Sequence, residues 1–113
     1  MTRRERVASV LAREISNIII REMKDPRLGF ITITNVVVSP DLKVAVVFFS
    51  SLRDKSESLE ILSKAKGYIK SILANRVRMK SLPDLKFEID DSYEHGQRID
   101  ELFKEINKAH KKE

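Results

Sequence analysis

The sequence predicts an α+β fold, one small sheet with helices packed on it. Three observations carry that prediction. Apolar residues recur at three- and four-residue steps in two stretches, Val7, Leu11, Ile15, Ile18 and Ile19, then Leu62, Ala65, Ile69, Ile72 and Leu73, the spacing of a single helix face. Between them, FITITNVVVS (30–39) and KVAVVFFS (43–50) are dense in β-branched and aromatic residues, and LKFEID (85–90) alternates apolar and polar, as strands do. The chain's 113 residues, 42% hydrophobic and 35% charged, suffice for one core and not two.

The first helix runs from Arg3 to about Met23. Thr2 is its N-cap, with Glu5 at the capping-box spacing. Arg6, Arg13 and Arg21 fall beside the apolar face, with Arg3 and Arg4 at the start. Lys24-Asp25-Pro26-Arg27-Leu28-Gly29 then turns the chain, because proline stops the helix and glycine frees the entry to a strand. Asp25 reads as a turn or cap residue rather than a catalytic carboxylate. Ser39-Pro40-Asp41-Leu42 is too short to do anything but return the chain, so the first two strands pair antiparallel. The second strand is almost continuously apolar, which suggests a face only partly covered. The polar stretch SLRDKSES (51–58) launches the next helix, with Asp54 and Ser56 as competing N-caps.

That helix, LEILSKAKGYIKSILANRVRMK (59–80), is the chain's most unusual segment. It carries Lys64, Lys66, Lys70, Arg76, Arg78 and Lys80 and no acid after Ser63. At the helical step, Lys64, Lys66, Lys70 and Arg78 span an arc of about 160°, opposite the apolar stripe. Gly67 sits near the middle of the arc, where glycine costs roughly 1 kcal/mol relative to alanine. Two readings of Gly67 stand. Either it leaves the basic surface bare so that a phosphate backbone comes close, or it bends the helix around a curved core. Solvated helix faces normally mix signs, so a run of one sign points to an anionic partner.

The third strand, LKFEID, directs Leu85, Phe87 and Ile89 inward. A final amphipathic helix starts near Glu94 with Ile99, Leu102, Phe103 and Ile106 on one side, and residues 107–113 read as a frayed tail. Residues 1–106 thus make one domain. If Gly67 divides the basic helix, the order is α-β-β-α-α-β with an extra C-terminal helix; if it does not, the order is α-β-β-α-β-α.

Charge is distributed as unevenly as structure. The total is +5, but residues 64–80 hold six cations and no acid, residues 1–24 hold six cations and three acids, and residues 81–113 hold six cations and nine acids. One side of the protein should attract polyanions. Enzymatic chemistry finds no footing. Cysteine is absent, which excludes disulfides and thiolate metal sites and fits a reducing cytosol. His95 and His110 lack ligand spacing, and the adjacent Asp90 and Asp91 would point to opposite faces of a strand. There is no phosphate-binding glycine loop, nucleophile elbow, membrane-length apolar run or signal core. Of the seven aromatics, Tyr68 alone adjoins the basic arc, so base stacking is a minor contribution. The residues read as a binder without catalysis or cofactor.

The sequence resembles the ribosome-binding factor A family. The resemblance rests on Arg6-Val7-Ala8, Asp25-Pro26-Arg27-Leu28, Ser39-Pro40-Asp41-Leu42, Ala65-Lys66-Gly67 and Arg78, in that order across roughly residues 3–106. It implies a type II KH-like fold, α-β-β-α-α-β, a three-stranded sheet with helices packed on one face. It also implies that Ala65-Lys66-Gly67 is an interhelical kink where other KH domains carry a Gly-x-x-Gly loop. This chain has no Gly-x-x-Gly, so the usual KH clamp on four nucleotides is not carried over. The resemblance further implies a cytoplasmic bacterial factor that binds 16S rRNA on free 30S subunits, assists 5′-end processing and growth in the cold, and has no ribonuclease activity. It would be a monomer off the ribosome and have no membrane partner. Expected phosphate contacts are Lys64, Lys66, Lys70, Arg76, Arg78 and Lys80 around Gly67, with Arg3, Arg4, Arg6 and Arg13 as a second line. The competing expectation is a protein-interaction module using the acidic C-terminal helix and a sheet edge.

Overall fold

The computed structural model describes residues 1–90 and 99–106. The expected start of the last helix near Glu94, both histidines, Asp91 and the tail 107–113 lie outside the described residues. The elements are α1 (Arg3–Arg21), a 3-10 turn (Pro26–Phe30), β1 (Ile31–Val38), β2 (Val44–Ser51), α2 (Lys55–Arg76) and β3 (Asp84–Ile89), with residues 99–106 helical. The Thr2 hydroxyl accepts from the Glu5 amide at 3.1 Å, the Asp54 carboxylate accepts from the Glu57 amide at 3.0 Å, and the Asp25 carboxylate accepts from the Arg27 amide at 2.9 Å. Side-chain acceptors therefore cap both helices and the turn, satisfying amides that have no partner inside the helix. Asp25 is a turn residue, and its carboxyl is held below the usual range by hydrogen bonds from the Arg27 side chain and amide.

The sheet order is β1-β2-β3, with β1 and β2 antiparallel and β2 and β3 parallel, α2 making the crossover. β2 is therefore central. Ala45, Val47 and Phe49 face a core built with Leu11, Ile15, Ile18, Leu62, Ile69 and Leu73 of the two helices, while Val44, Val46 and Phe48 pack with Leu102 and its neighbours Ile99, Phe103 and Ile106. The nearly continuous apolar character of β2 thus reflects burial on both faces, and the expectation of a partly covered face is corrected for this strand. Helices α1 and α2 share one face; the C-terminal segment closes the other. In β1 the pairing shifts between Ile33 and Asn35. That extra residue lets Ile31 and Ile33 and then Val36 and Val38 all meet the helical core, although strict alternation would have split them.

The basic segment departs from expectation in two ways. Helix α2 is continuous for 22 residues through Ala65-Lys66-Gly67, so the order is α-β-β-α-β before the C-terminal segment. No break divides the segment into two helices. Leu62, Ile69 and Leu73 lie on one stripe, all fully buried, and that shared burial outweighs the glycine's helix cost. The helix also ends at Arg76, with Val77 extended at φ −120°, ψ 125° and its amide donating to the Leu73 carbonyl at 2.9 Å. Arg78 and Lys80 therefore stand in the loop to β3 rather than on the helical arc. Pro83 follows closely, and the residues before it are steered toward extended backbone.

The turn between β1 and β2 holds Leu42 at φ +61°, the one non-glycine residue with positive φ among those described. Such a conformation costs of order 1 kcal/mol or more. Hydrogen bonds hold it. The Ser39 hydroxyl donates to Asp41 at 2.7 Å and accepts from the Val44 amide at 3.0 Å, while the Lys43 amide donates to Asp41 at 3.1 Å. These bonds, the one from Ser39 foremost, hold the Asp41 carboxyl below its ordinary range. The turn matters to the surface beside it, because the Lys43 carbonyl accepts from the Asp84 amide at 2.8 Å and so fixes where β3 begins.

Candidate nucleic-acid interface

The strand order leaves β3 at the sheet edge, beside the second half of α2. Between them lies a hollow of about 560 Å³ lined by Lys66, Gly67, Lys70, Leu85, Lys86 and Ile106 together with two acids, Asp84 and Glu105. A second, of about 460 Å³, shares Gly67 and Lys70 and continues to Met79, Lys80 and Leu82. Sharing Gly67 and Lys70, the two adjoin as one groove lined by lysines and apolar side chains. Lys66 and Lys70 are one helical turn apart with Gly67 beside them, so the bare position lies within the groove.

Gly67 itself needs a reason. Its φ is not positive, and a Cβ built there would meet nothing within 4 Å. Neither backbone conformation nor internal packing demands glycine at a site where alanine would favour the helix by about 1 kcal/mol. Gly67 lines both hollows, so the position without a side chain faces the groove.

The other expected contacts disperse. Lys64 pairs with Glu60 at 2.9 Å on the helix side, next to a separate hollow containing Arg27 and Glu57. The same pairing holds the Glu60 carboxyl below its usual range. Lys70 stays in the groove but is 2.6 Å from Asp84, so a phosphate there must share or displace a carboxylate. Arg4 donates through Nε to the Val38 carbonyl. At the helical step it falls on the stripe of Leu11 and Ile15, and so braces α1 on β1. Arg13 lies 3.5 Å from Glu14 and is largely exposed. Arg3 and Arg6 are exposed on α1, with no side-chain partner among the described residues, and Arg78 is exposed in the loop.

Arg76 is the clearest departure. It lies 2.7 Å from Glu22 and 3.8 Å from Glu14, joining α2 to α1. Three residues after Leu73, it continues the buried stripe rather than the basic arc, a signal present in the sequence. Arg76→Ala is expected to lower stability by about 1 kcal/mol, allowing for partial exposure, and to leave ligand affinity unchanged. Urea melts and binding read side by side check this; lost affinity at unchanged stability would return Arg76 to the interface.

Lys86 was not among the expected contacts. Its outward position on β3 was legible, but only the strand order puts β3 next to α2. The register also relates the groove to α1. Val38 pairs with Ala45, and Ala45 with Leu85. The Arg4 brace and the groove wall thus share one end of the sheet, two strand spacings or about 10 Å apart. Among the described residues no cluster of three His, Asp or Glu could hold a metal ion, and no helix is long and apolar enough to cross a membrane.

Comparison with known proteins matches the same architecture. A family model described as Ribosome-binding factor A matches residues 3–103. The crystal structure of ribosome-binding factor A from Thermus thermophilus is 32% identical, with a TM-score of 0.72 over 76% of this chain and 93% of that one. A homology model of the Thermus thermophilus factor, fitted into the cryo-EM map of its 30S complex, is 34% identical, with a TM-score of 0.64 over 72% of this chain and 88% of that one. The solution structure of a Thermotoga maritima protein likened to ribosome binding factor A is 28% identical, with a TM-score of 0.67 over 76% and 85%. The shared α+β architecture, with its three-stranded mixed sheet, is consistent with the KH-like description.

Proposed function

The chain belongs to the ribosome-binding factor A family, and from that premise we propose that it is a maturation factor of the small ribosomal subunit. It binds 16S rRNA on free 30S subunits and assists processing of the 5′ end, while the cutting is done by a separate nuclease. The supporting observation is the groove between α2 and β3, where Lys66, Lys70, Lys80 and Lys86 surround a glycine that the protein's own packing does not require. The lysines draw in the RNA backbone, and the open floor at Gly67 lets one phosphate sit against the helix. Arg3 and Arg6 extend the basic surface on α1. Contacts of this kind set position and carry little sequence information, so the shape of rRNA on the subunit supplies specificity. A cytosolic site of action follows from the target. Holding rRNA in a productive arrangement matters most in the cold, when misfolded helices rearrange slowly.

Salt titration of binding to purified free small subunits tests the proposal. Four phosphate contacts at roughly 0.7–0.9 each give a log–log slope near −3. Chemical footprinting in the same samples is expected to show rRNA protections that vanish at high salt. Binding insensitive to salt would overturn this reading.

A further inference from the structure

The groove between α2 and β3 is not uniformly basic. Its first hollow is lined by Lys66, Lys70 and Lys86 but also by Asp84 and Glu105, so three cations share it with two anions. The adjoining hollow carries Lys70 and Lys80 and no acid. Positive charge is therefore graded, low where α2, β3 and residues 99–106 meet and high toward Lys80. Asp84 opens β3 and Glu105 stands on the C-terminal segment, so only the fold brings the two acids to the same lysines.

Asp84 is held in place. Its amide donates to the Lys43 carbonyl at 2.8 Å, and its carboxylate lies 2.6 Å from the Lys70 ammonium. The side chains of that ion pair are 43% and 38% exposed, open to an incoming phosphate, and pairs so exposed add little to folding. Glu105 is exposed and has no side-chain partner among the described residues. Both acids act instead on any anion that enters. Attraction for phosphate is independent of sequence and would fasten a purely basic groove to any nucleic acid. A carboxylate among the lysines repels a phosphate beside it and spares one that passes elsewhere. An unrelated strand samples many paths through the groove and loses those that cross Asp84 or Glu105. A backbone fixed by a folded particle in a path that misses them keeps its contacts with Lys66, Lys80 and Lys86.

We propose that Asp84 and Glu105 are specificity-determining residues, which weaken the groove's hold on unrelated RNA and leave its hold on small-subunit rRNA nearly intact. Asp84 is the stronger of the two, because the lysine it holds is the one common to both hollows. The proposal rests on the reading of the chain as a small-subunit factor and says which RNAs that factor refuses.

The test compares Asp84→Asn with Glu105→Gln, as a double variant, against the unaltered protein on two ligands at matched salt: polyuridylate and purified free small subunits. Affinity for polyuridylate is expected to rise roughly tenfold, with a log–log salt slope steeper by about 1.4, two charges at roughly 0.7 each. Affinity for small subunits is expected to change less than about threefold, since the fixed backbone path misses both acids. Equal gains on both ligands, or none on polyuridylate, overturn the proposal. Both substitutions keep side-chain shape, and a thermal melt checks the fold. If the double variant does not fold, Glu105→Gln alone carries the test, with Asp100→Asn as its control, the same charge change on the same segment but outside the groove. Polyuridylate affinity is then expected to rise about threefold for Glu105→Gln and to stay level for Asp100→Asn; equal rises, or none, overturn the proposal. Unaltered protein that holds polyuridylate as tightly as free small subunits overturns the functional reading beneath it.

Discussion

Lys66→Glu combined with Lys80→Glu is expected to reduce affinity for free small subunits roughly 100-fold, about 2.7 kcal/mol, with no loss of folding stability. The two lysines stand at opposite ends of the groove, both exposed and without ion-pair partners among the described residues. Reversal therefore breaks nothing inside the protein. It replaces two attractions for phosphate by two repulsions and is expected to flatten the salt slope by about 1.5. Lys70 is the wrong place for this test, because a glutamate there would face Asp84, now 2.6 Å from the ammonium, and mix a folding effect with a binding one. The control is Lys24→Glu with Lys55→Glu, which makes the same change in net charge at exposed positions outside the groove that have no ion-pair partner among the described residues. Co-sedimentation and thermal melts of both pairs decide the matter. Equal losses from the two pairs would mean that net charge, not the groove, governs binding.

Gly67→Ala is expected to raise stability while weakening binding. The backbone at Gly67 is one that alanine adopts freely, and the added methyl meets nothing within 4 Å. The helix should gain about 1 kcal/mol, a rise in melting temperature of several degrees for a domain of this size. The same methyl projects into the groove that Lys66 and Lys70 border and holds a phosphate away from the helix, so affinity should fall roughly tenfold. A folded variant with unchanged affinity would remove Gly67 from the interface. A destabilised variant would show that the fold, after all, requires glycine there. Opposite signs in the two measurements separate this account from any in which the substitution merely perturbs the fold.

Much of this was legible in the residues. Periodicity located both helices and all three strands, because amphipathic elements must place apolar side chains at the spacing of the face they bury. The roles of Thr2 and Asp25 were legible for a local reason, since a short side chain satisfies an amide two or three residues away, while the sequence left Asp54 and Ser56 as competing caps and the structure uses Asp54. The end of α2 was not, since Val77 leaves the helix in a stretch whose composition still permits one. The role of Arg76 was half legible, its position on the buried stripe being visible while the carboxylates it meets belong to another helix.

The sequence by itself determined the elements, the cationic character of residues 64–80 and the oddity of a glycine among them, all of which depend on neighbours within a turn or two. The tertiary structure alone decided which cations stand together. Placing β3 at the edge beside α2 brought Lys86 to Lys66, Lys70 and Lys80, and it set Arg4 and Arg76 to bracing the protein. The physical reason is that a lysine's or arginine's role depends on what lies within a few ångströms of its charge, and for these residues the deciding neighbours are remote in the chain.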